Sequence, residues 1–192
     1  FYYKKIHYYD SIMPKITYSN DNELLLCFDE QGDAVAPQPR GVVHKKPYRI
    51  WHAITNIWVI NSKGEILCTR RALHVSGNAG KWQTYVGGHV KAGSDFSETA
   101  RRELTEEIGL NINKDDLKLA EKGRREDNMH TYESYAILFD GNATELSFPD
   151  GEISEAQWFS FKKYQNLKTE NSDGWCNGMK PDQYKKIYKA LG

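Results

Sequence analysis

The chain has 192 residues, of which 39% are hydrophobic and 27% are charged. This composition is typical of a globular domain, and the length suits one domain with extensions. The 26 basic residues balance 26 acidic ones, which argues against nucleic acid or a membrane surface as a partner. The sequence contains no run of about 18 apolar residues, so no transmembrane helix is predicted. Any recognition of phosphate must therefore come from local charge.

The N-terminal segment predicts an extension ahead of the domain. Residues 1–12 are aromatic and basic, and Met13 would serve as a natural start. We expect residues 1–19 to form an extension that could pack on a second subunit in a homodimer. Residues 20–192 are predicted to form one domain.

The cysteines predict the redox compartment. Cys27, Cys68 and Cys176 are odd in number and widely spaced. This pattern disfavours a disulfide framework or a zinc site and favours a cytoplasmic location.

Apolar and β-branched patterns predict strands around one strong helix. The predicted strands span residues 23–29, 54–60, 65–71, 82–86, 117–121, 132–139 and 156–161. The turn signal at 61–64 predicts a hairpin, and the segment 34–46, with two prolines, is predicted to be irregular. Closing helices are predicted at 161–167 and 181–191. This order predicts an α/β or α+β domain in which a mixed β-sheet is sandwiched between α-helices.

The strongest predicted helix follows residue 94. Asp95 can cap its first turn, with Glu98 three positions later. Gly109 follows its last turn as a C-terminal stop. An apolar stripe is formed by Ala100, Leu104 and Ile108.

Three glutamates crowd a second face of this helix. Glu103, Glu106 and Glu107 are related by i+3 and i+4. Their charges repel, and such a cluster persists most readily when a divalent cation neutralises it. Oxygen ligands favour magnesium or manganese, and Arg102 could orient one carboxylate. The alternative is a solvated helix face.

Glycines precede the helix and change this balance. Gly87, Gly88 and Gly93 let the backbone approach a ligand closely, and the amides of a helix N-terminus favour anions. The combination of glycines and glutamates favours a site for a metal and a phosphate.

The segment from Gly88 to Leu110 resembles the Nudix box, written G-x5-E-x7-R-E-U-x-E-E-x-G-U with U apolar. The matching positions are Gly88, Arg102, Glu103, Leu104, Glu106, Glu107, Gly109 and Leu110. The flanking strands extend the resemblance over most of residues 20–191. It implies a Nudix-type sheet between helices and hydrolysis of a small-molecule diphosphate. It also implies Mg²⁺, or Mn²⁺, held by three glutamates and the carbonyl of Gly87, with Glu103 or Glu107 able to accept a proton.

Two positions depart from the box. Ser94 stands at its first glutamate, and Lys91 stands where many relatives have an acid. The resemblance therefore supports metal binding more strongly than it supports efficient hydrolysis.

The stretch from His52 to His89 is similar to the branch of the family that resembles isopentenyl-diphosphate isomerase. The shared features are the strand with Trp58, the Arg70-Arg71 pair, and Trp82 leading into the glycines. Isomerases carry a catalytic cysteine at the position aligned with Gly87, and their Arg-Glu-x-x-Glu-Glu element is degraded. The intact element here favours hydrolysis.

Further candidates surround the box. Arg70, Arg71 and Lys91 are the predicted phosphate partners, since guanidinium groups match phosphate oxygens, and Gly88 and His89 are expected to line the site. The candidates for a loop acid are Glu126, Glu133, Glu152 and Glu155. Aromatic residues that could stack a base, or fill the core, are Trp82, Tyr132, Tyr135 and Trp158. The histidines without ligand spacing, expected to be structural or exposed, are His44, His52, His74 and His130.

Three functions remain open on the sequence. The first is hydrolysis of a nucleoside diphosphate linked to another group, or of a similar diphosphate. The second is a catalytically weakened module that binds or senses a nucleotide, and the third is an enzyme acting on prenyl diphosphates. Substrate choice is expected to depend on loops at 73–81, 122–131 and 168–180.

Overall fold

Eight strands form one mixed sheet in the computed structural model, which describes residues 20–176 and 178–192. The strands are β1 (Leu24–Phe28), β2 (Ala34–Pro39), β3 (Trp51–Ile60), β4 (Glu65–Arg71), β5 (Trp82–Gln83), β6 (Lys118–Arg125), β7 (His130–Leu138) and β8 (Ile153–Ser160). The helices are α1 (Arg40–Val43), α2 (Phe96–Ile108), α3 (Phe161–Glu170) and α4 (Pro181–Leu191). The expectations for residues 1–19 lie outside the described residues.

Strand β3 forms the centre of the sheet. It runs parallel to β7 from His52 to Ile60 and contacts β1 at its start. Along the middle of its other edge, β3 pairs with the segment 86–90. The N–H of Ile57 donates to the carbonyl of Val86 over 2.7 Å, and that of Thr55 to Gly88 over 2.9 Å. This insertion brings the two glycines against the central strand.

The expected hairpin between β3 and β4 forms only at its turn. The two strands pair at Ile60 and Ile66 alone, and β4 pairs along its length with β8. The hairpin prediction was wrong for the body of the strands because segment 86–90 occupies the edge of β3 that β4 would need.

The sheet is covered on both faces, as predicted. Alternate side chains of β3 point to opposite sides. Ile57 and Val59 pack in a cluster with helix α2, whereas Trp58 and Ile60 pack in a cluster with α3 and α4. No helix in the described part of the chain has the length and apolar character needed to cross a membrane.

Helix α2 begins and ends where the sequence predicts. The carboxylate of Asp95 accepts the backbone N–H of Glu98 over 2.7 Å, and Gly109 adopts a left-handed φ of 67°. The apolar stripe is fully buried at Ala100, Leu104 and Ile108. The stripe therefore fixes which helix face meets the sheet.

Strands β2 and β6 differ most from the sequence prediction. Segment 34–39 is strand β2, although it contains two prolines, because it pairs with β1 at the edge of the sheet, where proline is tolerated. Strand β6 continues to Arg125, beyond the predicted end at 121, because its backbone pairs with β7 up to the turn. Both segments are strands because their backbones pair with a neighbouring strand, although their sequences lack an apolar strand pattern.

We predict that the cap of α2 stabilises the domain. Asp95→Ala should lower the free energy of unfolding by about 1 kcal/mol, because the N–H of Glu98 loses its acceptor. Urea unfolding measures this change. Asp95→Asn, which keeps an acceptor oxygen, is the control and should retain most of the stability. Equal stability of Asp95→Ala and wild type would contradict the prediction.

Candidate active site

A cleft of about 420 Å³ opens where helix α2 meets segment 86–90 and strand β3. Nine of the ten predicted site residues line it. They are Arg71, Gly87, Gly88, His89, Lys91, Arg102, Glu103, Glu106 and Glu107. Arg70 is the exception. Because strand side chains alternate, it points away from Arg71, and its Nε donates to the carbonyl of Gly80 over 3.0 Å.

Glu107 is the most deeply buried acid of the cleft. The residue is 4% exposed. Its Oε1 accepts the backbone N–H of Gly87 over 2.8 Å, while its Oε2 is buried without a hydrogen-bond partner among the described residues. Burial raises the pKa of this carboxyl well above its ordinary value, and the charge of Glu103 raises it further. The unpartnered oxygen is thus available to a cation.

Arg102 holds the other two glutamates. Its Nη2 lies 2.9 Å from Oε1 of Glu103, and its Nη1 donates to Oε2 of Glu106 over 2.7 Å. Burial raises the pKa of Glu103 to about 7, although Arg102 opposes that shift. One guanidinium therefore orients two carboxylates, where the sequence suggested one.

The two glycines leave no room for side chains. A Cβ on Gly87 would lie 2.2 Å from the carbonyl oxygen of Thr55, and Gly87 has a φ of 148°. A Cβ on Gly88 would lie 2.7 Å from the carboxyl carbon of Glu103. At Gly87 the obstacle is the backbone of β3, so only glycine fits there. At Gly88 the obstacle is the carboxylate of Glu103, so a side chain there would displace an acid of the cleft.

This donor set fits a hard divalent cation. The donors are carboxylate oxygens, which magnesium and manganese prefer. Two of the carboxyls have raised pKa values because of burial, and a bound cation would offset that cost. The three glutamates would hold the ion once Arg102 releases part of its contact with Glu103 and Glu106.

One predicted loop acid reaches the cleft. Glu152 lines it, and its Oε2 lies 3.5 Å from Nη2 of Arg71. Glu126, Glu133 and Glu155 do not line it. Asp150, which sequence analysis missed, joins Glu152 there. Its place in the turn just before β8 is the signal that could have identified it.

Glu23 forms two further ion pairs in the cleft. Lys91 Nζ is 2.9 Å from Oε1 of Glu23, and Arg40 Nη1 is 3.1 Å from Oε2 of the same residue. Neither Glu23 nor Arg40 belongs to a sequence motif. Glu23 reaches the cleft because β1 pairs with the segment around Lys91, and the N–H of Arg40 donates to the carbonyl of Glu23 over 2.8 Å. Every cation of the cleft is thus paired with a carboxylate.

The predicted aromatic residues do not line the cleft. Trp82 packs against Phe159 and Trp175, and Trp158 packs against Phe139. Tyr132 and Tyr135 also lie outside it. The aromatic residue that does line the cleft is Tyr85.

Histidines from distant parts of the sequence meet beside the cleft. The ligand nitrogens of His44, His52 and His89 all lie within 4.8 Å of one another, and the ring of His130 lies 4.7 Å from that of His52. Among the described residues, these three form the one set of potential ligands with that spacing. His44 is exposed and His52 is buried, as expected, and the fold gives them a ligand spacing that the sequence does not show. Imidazole donors of this kind can hold zinc or another transition metal.

Known proteins similar to the chain share one domain type. A family model described as NUDIX domain matches residues 51–175. An isopentenyl-diphosphate Delta-isomerase of Corynebacterium efficiens is 31% identical over 94 residues, 49% of each chain. PA4841 of Pseudomonas aeruginosa, described as an uncharacterized Nudix hydrolase, is 34% identical over 106 residues, 55% of this chain and 59% of that protein. The chain spans about half the length of the curated relatives it matches.

A solved structure supports the fold. DR0079 from Deinococcus radiodurans aligns with a TM-score of 0.65 and 22% identity, and the alignment covers 88% of this chain and 100% of that one. A bifunctional NMN adenylyltransferase/ADP ribose pyrophosphatase of Francisella tularensis, complexed with AMP and a manganese ion, aligns with a TM-score of 0.52 and 17% identity. It covers 79% of this chain and 44% of that one.

We predict that Gly87 tolerates no side chain. Gly87→Ala should destabilise the protein through its positive φ and through overpacking, which alone costs about 1 to 3 kcal/mol. Gly93→Ala is the matched control, because Gly93 also has a positive φ but nothing lies within 4 Å of its Cβ position. Urea unfolding of the two variants measures the difference. Equal losses would contradict the steric argument.

We also predict that the histidine cluster makes the metal-free protein sensitive to acid. Burial lowers the pKa of His52 to about 4 and that of His130 to about 3. As the pH falls, these histidines take up protons in the unfolded chain at a higher pH than in the folded protein. The free energy of unfolding therefore decreases as the pH falls from about 6.5 toward 4.

Urea unfolding at pH 7.5 and 5.5 in a chelator tests this prediction. His52→Asn should lose less stability between these two values than the wild type does. An unchanged dependence in His52→Asn would show that other groups cause the acid sensitivity.

Proposed function

The chain belongs to the Nudix family, and on that premise we propose that it hydrolyses the phosphoanhydride bond of a small organic diphosphate, with magnesium as cofactor. The substrate class is a nucleoside diphosphate linked to another group or a similar compound. Manganese would serve the same donors. The observation that carries the proposal is the buried carboxylate of Glu107, which is fixed by Gly87 and has one oxygen without a partner.

The side chains of the cleft divide the work of such a reaction. Glu103, Glu106 and Glu107 would hold the cation, together with the carbonyl of Gly87. When bound, magnesium supplies Lewis-acid polarisation of phosphoryl oxygens and lowers the pKa of bound water. Arg102 keeps two of the carboxylates aligned on the cleft side of α2.

Cationic side chains around the cleft would orient the diphosphate. Arg71 and Lys91 line it, and each is paired with a carboxylate that can yield to phosphate oxygens. Arg70 faces away and has no part in this proposal. Glu103 or Glu107 would accept a proton from the attacking water, since both carboxyls line the cleft beside these cations.

Isomerase chemistry is disfavoured by the backbone at Gly87. The resemblance to isomerases implies that their catalytic cysteine stands at this position. A Cβ there would lie 2.2 Å from the carbonyl oxygen of Thr55, so a cysteine requires a different path of the chain. The similarity to isomerases therefore supports common ancestry of the domain and not a shared reaction.

The sensor alternative rests on Ser94. This residue does not line the cleft, and its N–H donates to the carbonyl of Lys91 over 3.1 Å in the turn before α2. Release of phosphate from a panel of organic diphosphates with magnesium separates the two functions. A wild-type protein that binds one member and hydrolyses none would be a sensor.

We predict that Glu107→Gln separates activity from folding. Hydrolysis should fall by at least about a hundredfold, the upper end of what losing even an outer-shell partner costs a metal site. The metal-free free energy of unfolding should stay the same or rise, because glutamine avoids burying a charge and keeps an acceptor for the N–H of Gly87. Phosphate release with magnesium and urea unfolding in a chelator measure both quantities.

Glu98→Gln is the matched control. Glu98 lies on the same helix, is exposed and does not line the cleft. Its activity should remain within about twofold of wild type, as is usual for surface substitutions away from special features. Full activity of Glu107→Gln would overturn the metal assignment.

A further inference from the structure

A second and larger cavity adjoins the cleft. Its volume is about 710 Å³, and it lies between the end of β6, helix α3 and the start of α4. Asn56 and Tyr85 line both spaces, so they form a common wall. The cavity is therefore the immediate neighbour of the cleft, and its size is that of a small-molecule site.

The two spaces have opposite charge. Six carboxylates and four cationic side chains line the cleft, which suits metal ions. Arg125, Lys168 and Lys180 line the cavity against a single acid, Asp127. The cavity is thus a positively charged neighbour of the acidic cleft.

The cations of the cavity also differ in their partners. Each cation of the cleft lies within 4.0 Å of a carboxylate. Within residues 20–176 and 178–192, Arg125, Lys168 and Lys180 form no such pair. Burial lowers the pKa of Lys168, and the charge of Lys180 lowers it further. Lys168 donates to the carbonyl of Cys176 over 3.4 Å, and Arg125 lies over the ring of Tyr132. Asp127 is thus the one acid in the lining of the cavity to offset three positive charges.

Two buried polar atoms of the cavity residues are also unsatisfied. Trp58 is 3% exposed, and its Nε1 has no hydrogen-bond partner in the described chain. Oδ1 of Asn128 is buried and equally without a partner. Buried donors and acceptors are normally paired, so an unpaired set beside a cavity indicates a ligand that completes it.

From these observations we propose that the cavity binds a second phosphate group, carried by the organic part of the diphosphate that is hydrolysed in the cleft. The proposal rests on the hydrolase function proposed above and narrows its substrate class to compounds with a diphosphate linkage and a separate phosphomonoester. Three cations against one carboxylate leave two positive charges, which match the charge of a phosphomonoester near pH 7. The N–H of Trp58 adds a neutral donor for a phosphate oxygen.

This assignment separates the substrate classes that the sequence left open. A prenyl group has no charge and no acceptor, so it would leave the three cations without a counter-charge and the indole N–H without a partner. An unphosphorylated nucleoside would pair the polar atoms and leave the cations without a counter-charge. A phosphorylated organic group satisfies both.

Matched pairs of diphosphates test the selectivity. Coenzyme A and dephospho-coenzyme A, or NADP⁺ and NAD⁺, differ only by a phosphomonoester. The wild-type protein with magnesium should favour the phosphorylated member of at least one pair by about tenfold or more in kcat/KM, as expected for charged hydrogen bonds. Lys168→Met should abolish most of that preference, and Lys180→Met provides a second variant from a different element.

Binding of inorganic phosphate, measured by calorimetry in a chelator, gives a readout that does not need hydrolysis. Wild type should bind phosphate, and Lys168→Met should bind it about tenfold more weakly. Lys162→Met is the control on the same helix, because Lys162 is exposed and lines neither space. It should bind phosphate like wild type. Thermal unfolding verifies that each variant is folded.

The outcomes distinguish the two proposals. Phosphate binding that depends on Lys168, without hydrolysis of any diphosphate, would support the cavity assignment and overturn the proposed function. Hydrolysis without preference in either pair, with equal phosphate affinity in all variants, would overturn the cavity assignment and leave the function standing.

Discussion

The hydrogen bond from the N–H of Gly87 to Glu107 joins the sheet to the helix that carries the acids, and the cleft is built around it. It requires glycine at Gly87, because the backbone of Thr55 occupies the space where a Cβ atom would lie. The close approach buries the carboxylate of Glu107 and gives it one partner, which does not replace its hydration. The metal-free fold therefore bears an electrostatic cost at this point, and a cation would relieve it. Glu107 therefore lowers the stability of the metal-free protein and, for the same reason, favours the binding of a cation.

Charge is distributed unevenly between the cleft and the neighbouring cavity. The chain has no net charge, yet the cleft is lined mainly by acids and the neighbouring cavity mainly by cations. The two charged regions keep distinct electrostatic potentials although they are close together, because solvent screens partly buried charges weakly. A substrate with phosphates at both ends, bound with a metal at one of them, would complement both. The common wall of Asn56 and Tyr85 sets where one environment changes to the other.

Contiguous features of the site could be predicted from the sequence, and features made by sheet pairing could not. Glu103 to Glu107 lie on one helix, so local spacing alone indicates their common face, and the caps and the apolar stripe indicate how the helix docks. The histidine cluster depends on long-range register. His52 stands beside His130 because β3 and β7 are parallel, and His89 reaches them through its bridge to Ile54. No local pattern encodes those pairings, and the insertion of segment 86–90 also displaced the hairpin that the turn signal favoured.

The departure at Ser94 has a smaller consequence for the cleft than its place in the box suggests. The cleft contains acids that the box does not supply, namely Glu23, Asp150 and Glu152. Lys91, which stands where relatives have an acid, is paired with Glu23, so its charge is balanced within the cleft. The serine remains in the turn before α2, where Asp95 caps the helix. The first half of the box thus shapes the backbone, through its glycines and the cap. The second half and the loop before β8 supply the carboxylates on which the proposed hydrolysis depends.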